Sequence, residues 1–180
     1  LRLEQSLEEY VKASMLIDLL RASGKIKLTP GFERSVFDLS VGYDLKGVKG
    51  EKVRTFIEGM KDAREVVARL REQVPERHAA LRETDFLTKV SGSVTLSTFH
   101  GCPPDEIEAI ASFMLEEMGL DCIIKLNPTL LGPKDLRALF NDAMGYGDIT
   151  VPEEAFAKDA TWDQACGFVM RLSAKARMLG

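Results

Sequence analysis

Two side chains capable of proton transfer lie close together in a short loop. His100 and Cys102 fall in the run TLSTFHGCPPDEIEAI (residues 95–110), in a chain that has only 2 histidines and 3 cysteines. Imidazole and thiol are both credible general acids near neutral pH, and Cys102 directly precedes a predicted helix start that would favour its thiolate. We therefore take His100 and Cys102 as candidate catalytic residues. In the alternative interpretation, Cys102 packs against its neighbours and His100 hydrogen-bonds a carbonyl group.

A lysine interrupts an otherwise mainly apolar strand. Lys125 belongs to the predicted strand at residues 122–127, with the sequence CIIKLN. Because the side chains of a strand alternate between two faces, Lys125 and Asn127 share one face. An ammonium group on an inward face is costly unless it meets an anion or a strong acceptor. Lys125 is therefore the main candidate for a binding residue, unless it is solvated or paired with Asp38 or Asp148.

The other predicted strands repeat this arrangement. Residues 36–41, 94–97 and 148–151 alternate apolar and polar side chains. The polar members are Asp38, Ser40, Thr95, Ser97, Asp148 and Thr150. Strands of a parallel sheet covered on both faces usually read as continuous apolar runs. These strands instead have one apolar side for helices and one side that turns polar toward the C-terminal end.

Helices are predicted before, between and after the strands, from apolar residues at spacings of three and four and from the glycines that end them. They are a helix at 3–22, one with an apolar stripe from Val53 to Leu70, one with Ile107 to Met118 on its face, one at 133–144 and one at 162–178. Residues 74–92 are polar and irregular and are interpreted as an insertion. Alternating strands and helices predict parallel βαβ units. The expected fold is α/β, a single domain over residues 1–180 forming part of a (β/α) TIM-barrel-like structure with about four parallel strands, whose site lies at their C-terminal ends.

The composition excludes several kinds of partner and site. A net charge of −4 and an isoelectric point near 5.3 argue against nucleic acid and anionic membranes. No apolar run reaches the ~18 residues of a membrane span, and without a signal peptide the expected location is the cytoplasm. Cys102, Cys122 and Cys166 show no CxxC spacing, so they cannot alone form a disulfide framework or a metal site. Cys122 and Cys166 are predicted to be core residues, and a chain starting at Leu1 is expected to come from a longer protein.

Three runs of the sequence resemble a known family. They are FDLSVGYDLKGV (37–48), GSVTLSTFHGCPPDEIEAIASFMLEEMGL (92–120) and IIKLNPTLLG (123–132). They look like the flavin-barrel region of the "putative selenate reductase subunit" family, which consists of large bacterial iron–sulfur oxidoreductases similar to dihydropyrimidine dehydrogenase. The likeness runs from about Glu9 to Gly180. The HGCPP loop and the KLNPTLLG run are its most specific parts.

The resemblance implies a flavin-dependent oxidoreductase whose barrel holds FMN, with FAD, NAD(P)H and iron–sulfur clusters in other domains of the parent chain. The runs VTLSTFHG and KLNP are similar to strands that face FMN in the dihydropyrimidine and dihydroorotate dehydrogenases. By that similarity Lys125 lies at the N1/O2 edge of the isoalloxazine ring, where its charge stabilises the reduced flavin. The other residues implied to bind the cofactor are Thr95, Ser97, Asn127 and Ser40. His100 or Cys102 would protonate a small-molecule substrate.

The resemblance does not extend to the identity of the substrate. Thr95 replaces an amide side chain of those dehydrogenases, Thr98 replaces the acid cysteine of dihydropyrimidine dehydrogenase, and Glu153 falls near an expected asparagine. By the resemblance the strands are the third to sixth of eight, so we expect the chain alone to be inactive and its open strand edges to be covered or to pair between copies. Two alternatives stay open: a lyase or aldolase barrel with Lys125 as a Schiff-base amine, and a non-catalytic assembly module.

Overall fold

A computed structural model describes residues 2–25, 27, 29, 37–97 and 102–180 of the chain. These residues group into two compact units. Unit 1 comprises Leu1–Leu39 and Lys49–Ser93, and unit 2 comprises Ser40–Val48 and Val94–Gly180.

The described residues form a parallel sheet of three strands rather than about four. The strands are β1 (Asp38–Val41), β2 (Ser93–Ser97) and β3 (Asp121–Lys125), in the order β1-β2-β3. The predicted alternation is confirmed, because the apolar side chains of β1 and β2 are buried while the polar ones between them are exposed or half-buried. The buried set is Leu39, Val41, Val94 and Leu96. Strands joined by helices confirm the α/β class.

The predicted fourth strand, residues 148–151, is wrong, since these residues form a turn and an irregular segment outside the sheet. Side chains from the preceding helical region bind the carbonyl groups that a sheet would use. The Asn141 amide donates a hydrogen bond to the Ile149 carbonyl at 2.8 Å, and the Arg137 guanidinium donates one to the Val151 carbonyl at 3.1 Å. The segment thus has local partners for its backbone, which alternation of apolar residues does not reveal.

Unit 1 is built mainly from helices. They are α1 (Leu3–Ala22), which has the predicted bounds, α3 (Glu51–Lys61), α4 (Arg64–Arg71) and a 3₁₀ segment at Glu76–Glu83 inside the predicted insertion. Helix α2 (Leu45–Lys49) precedes α3 in the chain and lies in unit 2 except for Lys49. The predicted stripe from Val53 to Leu70 is divided between α3 and α4. The chain breaks there because the Ala63 amide donates to the Thr88 carbonyl at 2.8 Å and Asp62 Oδ1 accepts from the Arg64 amide at 3.2 Å. The unit's buried apolar side chains include Val11, Met15, Ile57, Met60, Val67, Leu70, Phe86 and Val90.

Unit 2 contains the helices that follow β2 and β3 along the chain. They are α5 (Pro104–Glu116), α6 (Gly132–Arg137) continuing into a π-helical turn at Ala138–Ala143, α7 (Glu153–Lys158) and α8 (Trp162–Leu179), with a 3₁₀ segment at Pro128–Leu131. The sequence analysis did not predict α7. Thr161 and Gln164 form a capping box that fixes the start of α8, which packs along α5. The buried side chains of these two helices include Ile107, Ile110, Phe113, Met114, Ala165, Phe168 and Leu172.

The prediction that Cys166 is a core residue is wrong. The inner face of α8 carries Ala165, Phe168 and Leu172, so Cys166 is exposed. Successive residues of a helix are about 100° apart around its axis. Cys166 directly follows buried Ala165, and this rotation turns its side chain from the buried face toward solvent. Cys122 is half-buried.

The outer face of α8 carries large apolar side chains. Trp162 is 58% exposed, and Met170 is 68% exposed. These side chains do not make α8 a membrane span: across the described ranges, no helix has both the length and the apolar character needed to cross a membrane.

Candidate functional site

Four predicted cofactor-binding side chains lie on the polar sides of neighbouring strands in unit 2. Ser40 and Lys125 are exposed, whereas Thr95 and Ser97 are half-buried. Ser40, Thr95 and Ser97 stand between or next to buried apolar residues of their strands, and Lys125 stands next to half-buried Ile124 and Leu126, so each points away from the apolar side of the sheet. In parallel strands the carboxyl ends meet at one edge, and Ser97 and Lys125 are the last residues of β2 and β3. The structure therefore provides hydroxyl groups and an ammonium group on one face.

Ile123 adds an exposed apolar side chain to this polar face. It precedes Lys125 by two residues on β3 and is 56% exposed. An exposed branched apolar side chain between polar neighbours gives the face a surface on which a flat, partly apolar ring could pack. The alternation of strand side chains puts Ile123 on the side of Lys125, but the sequence analysis assigned it no role.

Cys102 is a buried thiol, with an exposed fraction of 3%. Burial, as the largest cause, and the nearby carboxylates of Glu106 and Asp105 together raise the pKa of Cys102 to about 11. The expectation that the helix start would favour a thiolate is therefore wrong, because burial and two acids in the first turn of α5 favour the protonated thiol. Cys102 keeps its proton at neutral pH. His100, the other candidate catalytic residue, lies outside the described residues.

A small cavity brings Cys102 together with the loop that follows β3. Its volume is about 10 Å³, close to the least that holds one water molecule and far too small for a substrate. The lining consists of Cys102, Ile107, Leu126, Asn127, Thr129, Leu130, Asp159 and Ala160. Two predicted site residues, Cys102 and Asn127, are thus neighbours in this lining, whereas Lys125 is not part of it.

Asn127 is placed differently from the expectation. Strand β3 ends at Lys125, so Asn127 is not a strand residue but precedes the 3₁₀ segment Pro128–Leu131. Its side-chain amide donates a hydrogen bond to Asp159 Oδ2 at 3.2 Å. The Thr129 hydroxyl donates a second one to the same oxygen at 2.5 Å. The Asn127 amide group is therefore bound within the protein, and its role as a cofactor ligand stays a prediction.

Asp159 is the residue of this region that the sequence analysis missed. It lies 30 and 32 positions from its two partners, between α7 and α8. Nothing in its local sequence marks it, because it follows a helix that was itself not predicted. The one available signal was the polar Asn-Pro-Thr run after β3, whose side chains need partners once they are buried.

The comparisons with known proteins decide the family. A family model described as "Oxidoreductase YgfK, N-terminal TIM-barrel domain" matches residues 1–180. The chain belongs to this family. Two proteins named "Putative oxidoreductase YgfK", from Escherichia coli (strain K12) and Escherichia coli O157:H7, are each 37% identical to it over 189 residues.

The match to these YgfK proteins covers most of this chain but a small part of theirs. It includes 94% of this chain and 18% of each relative, so the chain spans about a fifth of the length of the curated relatives it matches. No solved structure matches the chain. The YgfK family confirms the expected TIM-barrel fold class, of which the open parallel sheet is a part, and supports an oxidoreductase parent.

Proposed function

We propose that the polar face formed by Ser40, Thr95, Ser97 and Lys125 binds FMN in an oxidoreductase of the YgfK family. The observation that carries this proposal is the position of Lys125, which is exposed at the carboxyl end of a parallel strand in a TIM-barrel domain. The carboxyl ends of barrel strands are where such domains carry their chemistry. An exposed ammonium group there favours a ligand with an electron-rich edge.

The chemistry of the side chains fits a flavin. Hydroxyl groups both donate and accept hydrogen bonds, as the nitrogen and oxygen atoms of an isoalloxazine ring require. Exposed Ile123 offers apolar contact to the ring, and Lys125 offers a positive charge to its N1/O2 edge. When bound, FMN supplies transfer of a hydride or of single electrons. Lys125 would stabilise the negative charge of the reduced ring, while Thr95 and Ser97 would orient it.

His100 and Cys102 are proposed as alternative proton donors to the substrate. The Cys102 thiol is protonated at neutral pH, so it satisfies the first requirement of an acid, but its raised pKa makes it a weak one. It faces a cavity of about 10 Å³ and would reach a substrate only after a rearrangement of that lining. His100 is for this reason the better of the two candidates.

The remaining expectations concern the parent protein. The chain corresponds to 18% of the curated relatives' length, which leaves room for further domains. In this proposal those domains bind NAD(P)H, FAD and iron–sulfur clusters and pass electrons to the barrel. Their surfaces, or a second copy of the chain, would cover its open strand edges, and the assembly would work in the cytoplasm on a small-molecule substrate.

The experiment is a titration of the purified chain with FMN, followed by flavin fluorescence. Lys125→Met removes the charge and keeps an unbranched side chain, and Lys134→Met on α6, where the lysine is also exposed, is the matched control. We expect saturable quenching that Lys125→Met weakens and Lys134→Met leaves unchanged. The reduction potential of bound flavin should fall in Lys125→Met, because the anionic reduced ring loses its cation.

Two results would contradict the proposal. Quenching that stays linear up to millimolar FMN would show that these strands do not hold the ring. Equal effects of Lys125→Met and Lys134→Met would show that only general charge matters. Trapping of a carbonyl compound on Lys125 by borohydride, found by mass spectrometry, would instead support the lyase alternative.

A further inference from the structure

We infer that Asp159 is a positioning residue that holds the end of β3, and with it Lys125, in the geometry needed at the proposed flavin site. The inference rests on the proposed function for its chemical purpose. The contacts that carry it are independent of any flavin. They join the α7–α8 junction to the loop after β3, and all of them lie within unit 2.

Both hydrogen bonds converge on one carboxylate oxygen. Asp159 Oδ2 accepts from the Thr129 hydroxyl at 2.5 Å and from the Asn127 amide at 3.2 Å. Bonds to an ionised acceptor are stronger than bonds between neutral groups. Thr129 is buried, with an exposed fraction of 9%. Its hydroxyl has little access to water, so it would carry a free-energy penalty without a hydrogen-bond partner in the protein. The bond to Asp159 therefore matters more here than it would at the surface.

Asp159 lies two residues before the N-cap of α8, a helix that packs along α5. Two residues after it, Thr161 Oγ1 caps α8 by accepting from the Gln164 amide. Helix α8 packs along α5, and the Lys175 ammonium donates hydrogen bonds to Ser112 and Glu116 on that helix. The position of the Asp159 carboxylate is thus set by a helix pair and not by the loop it binds.

The loop that Asp159 binds begins directly after the proposed flavin-binding strand. Lys125 is the last residue of β3, and Asn127 follows two residues later. The Asn127 carbonyl accepts from the Leu130 amide at 3.1 Å, which closes the 3₁₀ turn. Holding the side chains of Asn127 and Thr129 therefore fixes the chain direction on leaving β3. It also fixes the backbone on which the long Lys125 side chain is mounted.

The first experiment measures hydrogen exchange of the flavin-free chain. Asp159→Ala removes both acceptor bonds, Thr129→Val removes one donor at nearly constant shape, and Thr129→Ser restores the hydroxyl. We expect exchange of the Leu130 amide and its neighbours in 126–131 to rise about tenfold in Asp159→Ala and Thr129→Val and to return toward the original rate in Thr129→Ser. The amides of α1, which belongs to unit 1, are the internal reference.

The second experiment repeats the FMN titration with the same variants. We expect the dissociation constant to rise about tenfold in Asp159→Ala, as is typical when an outer residue that orients a ligand is lost. Thr129→Val should show a smaller rise and Thr129→Ser none. Asp142→Ala, at an exposed position of the π-helical turn, is the matched control for loss of one carboxylate.

The two measurements separate the two proposals. Unchanged exchange in 126–131 of Asp159→Ala, or an equal rise across α1 and α5, would overturn the positioning role whatever FMN does. Faster local exchange with unchanged FMN affinity would show that Asp159 holds the loop but not the flavin site, and would also overturn it. If exchange in 126–131 rises in Asp159→Ala but the unsubstituted chain does not bind FMN, the result counts against the proposed function alone. If Asp159→Ala does not fold, hydrogen exchange and FMN affinity are compared between Thr129→Val and Thr129→Ser, and this comparison tests the positioning role.

Discussion

Arg171 on α8 and Glu108 on α5 form a two-point ion pair. Arg171 Nε donates to Glu108 Oε1 at 2.7 Å, and Arg171 Nη2 donates to Oε2 at 2.6 Å. The fork of the guanidinium matches the carboxylate, a geometry that lysine cannot reproduce. The pair therefore links α5 to α8, the helix whose start follows Asp159.

This pair makes stability depend on pH in the acid range. The Arg171 guanidinium holds the pKa of the Glu108 carboxyl below its usual range. A carboxyl group whose folded pKa is depressed stabilises the fold above its unfolded pKa, and this contribution is lost as pH falls through the folded pKa. We expect Glu108→Gln to flatten the fall in the free energy of unfolding below the usual pKa of glutamate. Urea unfolding at several pH values measures this.

The reciprocal change supplies the control for this ion pair. Arg171→Gln should flatten the same acid limb, and the double variant should add nothing further, because both single changes remove one interaction. Since Arg171 is largely exposed, the effect at neutral pH should be small. Additive effects of the two substitutions would show that the pair does not act as a unit.

The cysteines should differ in reactivity. Burial raises the pKa of Cys102 to about 11, whereas Cys166 is exposed on α8. Only the thiolate reacts with alkylating reagents, so we expect iodoacetamide at pH 8 to label Cys166 at least tenfold faster than Cys102 in the folded chain. Both labelling rates are obtained by stopping the alkylation at several times, digesting the protein and measuring the labelled peptides by mass spectrometry. In urea the two rates should converge, and equal rates in the folded chain would contradict the buried position of Cys102.

The turn after α5 requires a left-handed backbone at Gly119. Its φ is +60°, and the flanking amides of Met118 and Leu120 donate to Phe113 and Met114 carbonyls at the helix end. A Cβ at such a φ costs about 1 kcal/mol even where it meets no neighbour, as at this position. Gly119→Ala should therefore lower the free energy of unfolding by about 1 kcal/mol, and Gly119→Asn by less.

Gly147→Ala is the matched substitution for Gly119→Ala. Gly147 also has open space around it, but its φ is outside the left-handed range. We expect Gly147→Ala to leave stability nearly unchanged in urea unfolding. An equal loss in the two variants would indicate that glycine at 119 is needed for some other reason.

Local patterns in the sequence predicted the strands and helices that need only an apolar surface to pack against, whichever residues supply it. The alternation in β1 and β2 follows from which side chains must avoid water, and any apolar neighbour satisfies that need. The hydroxyl groups and Lys125 of the polar face were therefore placed correctly on their strands before their surroundings were known. The end of α1 was predicted from Gly24, whose φ is +69°.

Features that depend on distant partners could not be predicted in this way. The hydrogen bonds of Asp159 span 30 residues or more, and periodicity carries no information on them. The pKa of Cys102 is raised mainly by burial, which its sequence position at a helix start does not reveal. The false strand at 148–151 failed because two side chains upstream bind its carbonyl groups.

Asn141 should therefore control the order of the segment that was expected to be a strand. Its side-chain nitrogen donates to the carbonyls of Tyr146 and Ile149, both at 2.8 Å. Asn141→Asp has the same shape but cannot donate, and its charge would face two carbonyl oxygens. We expect faster hydrogen exchange at the amides of Tyr146 and Ile149, which are bonded to Phe140 and Tyr146, with little change in α5.

The control for Asn141→Asp is Asp142→Asn, an exposed neighbour that makes the reverse change of charge. It should leave exchange across 144–151 unaltered. The magnitude expected for Asn141→Asp follows from two hydrogen bonds worth about 1 kcal/mol each, so local exchange should rise more than tenfold. If both variants raise exchange equally, charge at the end of the π-helical turn matters, and Asn141 does not hold the segment. If Asn141→Asp alone does so, the side chain is what keeps residues 148–151 out of the sheet.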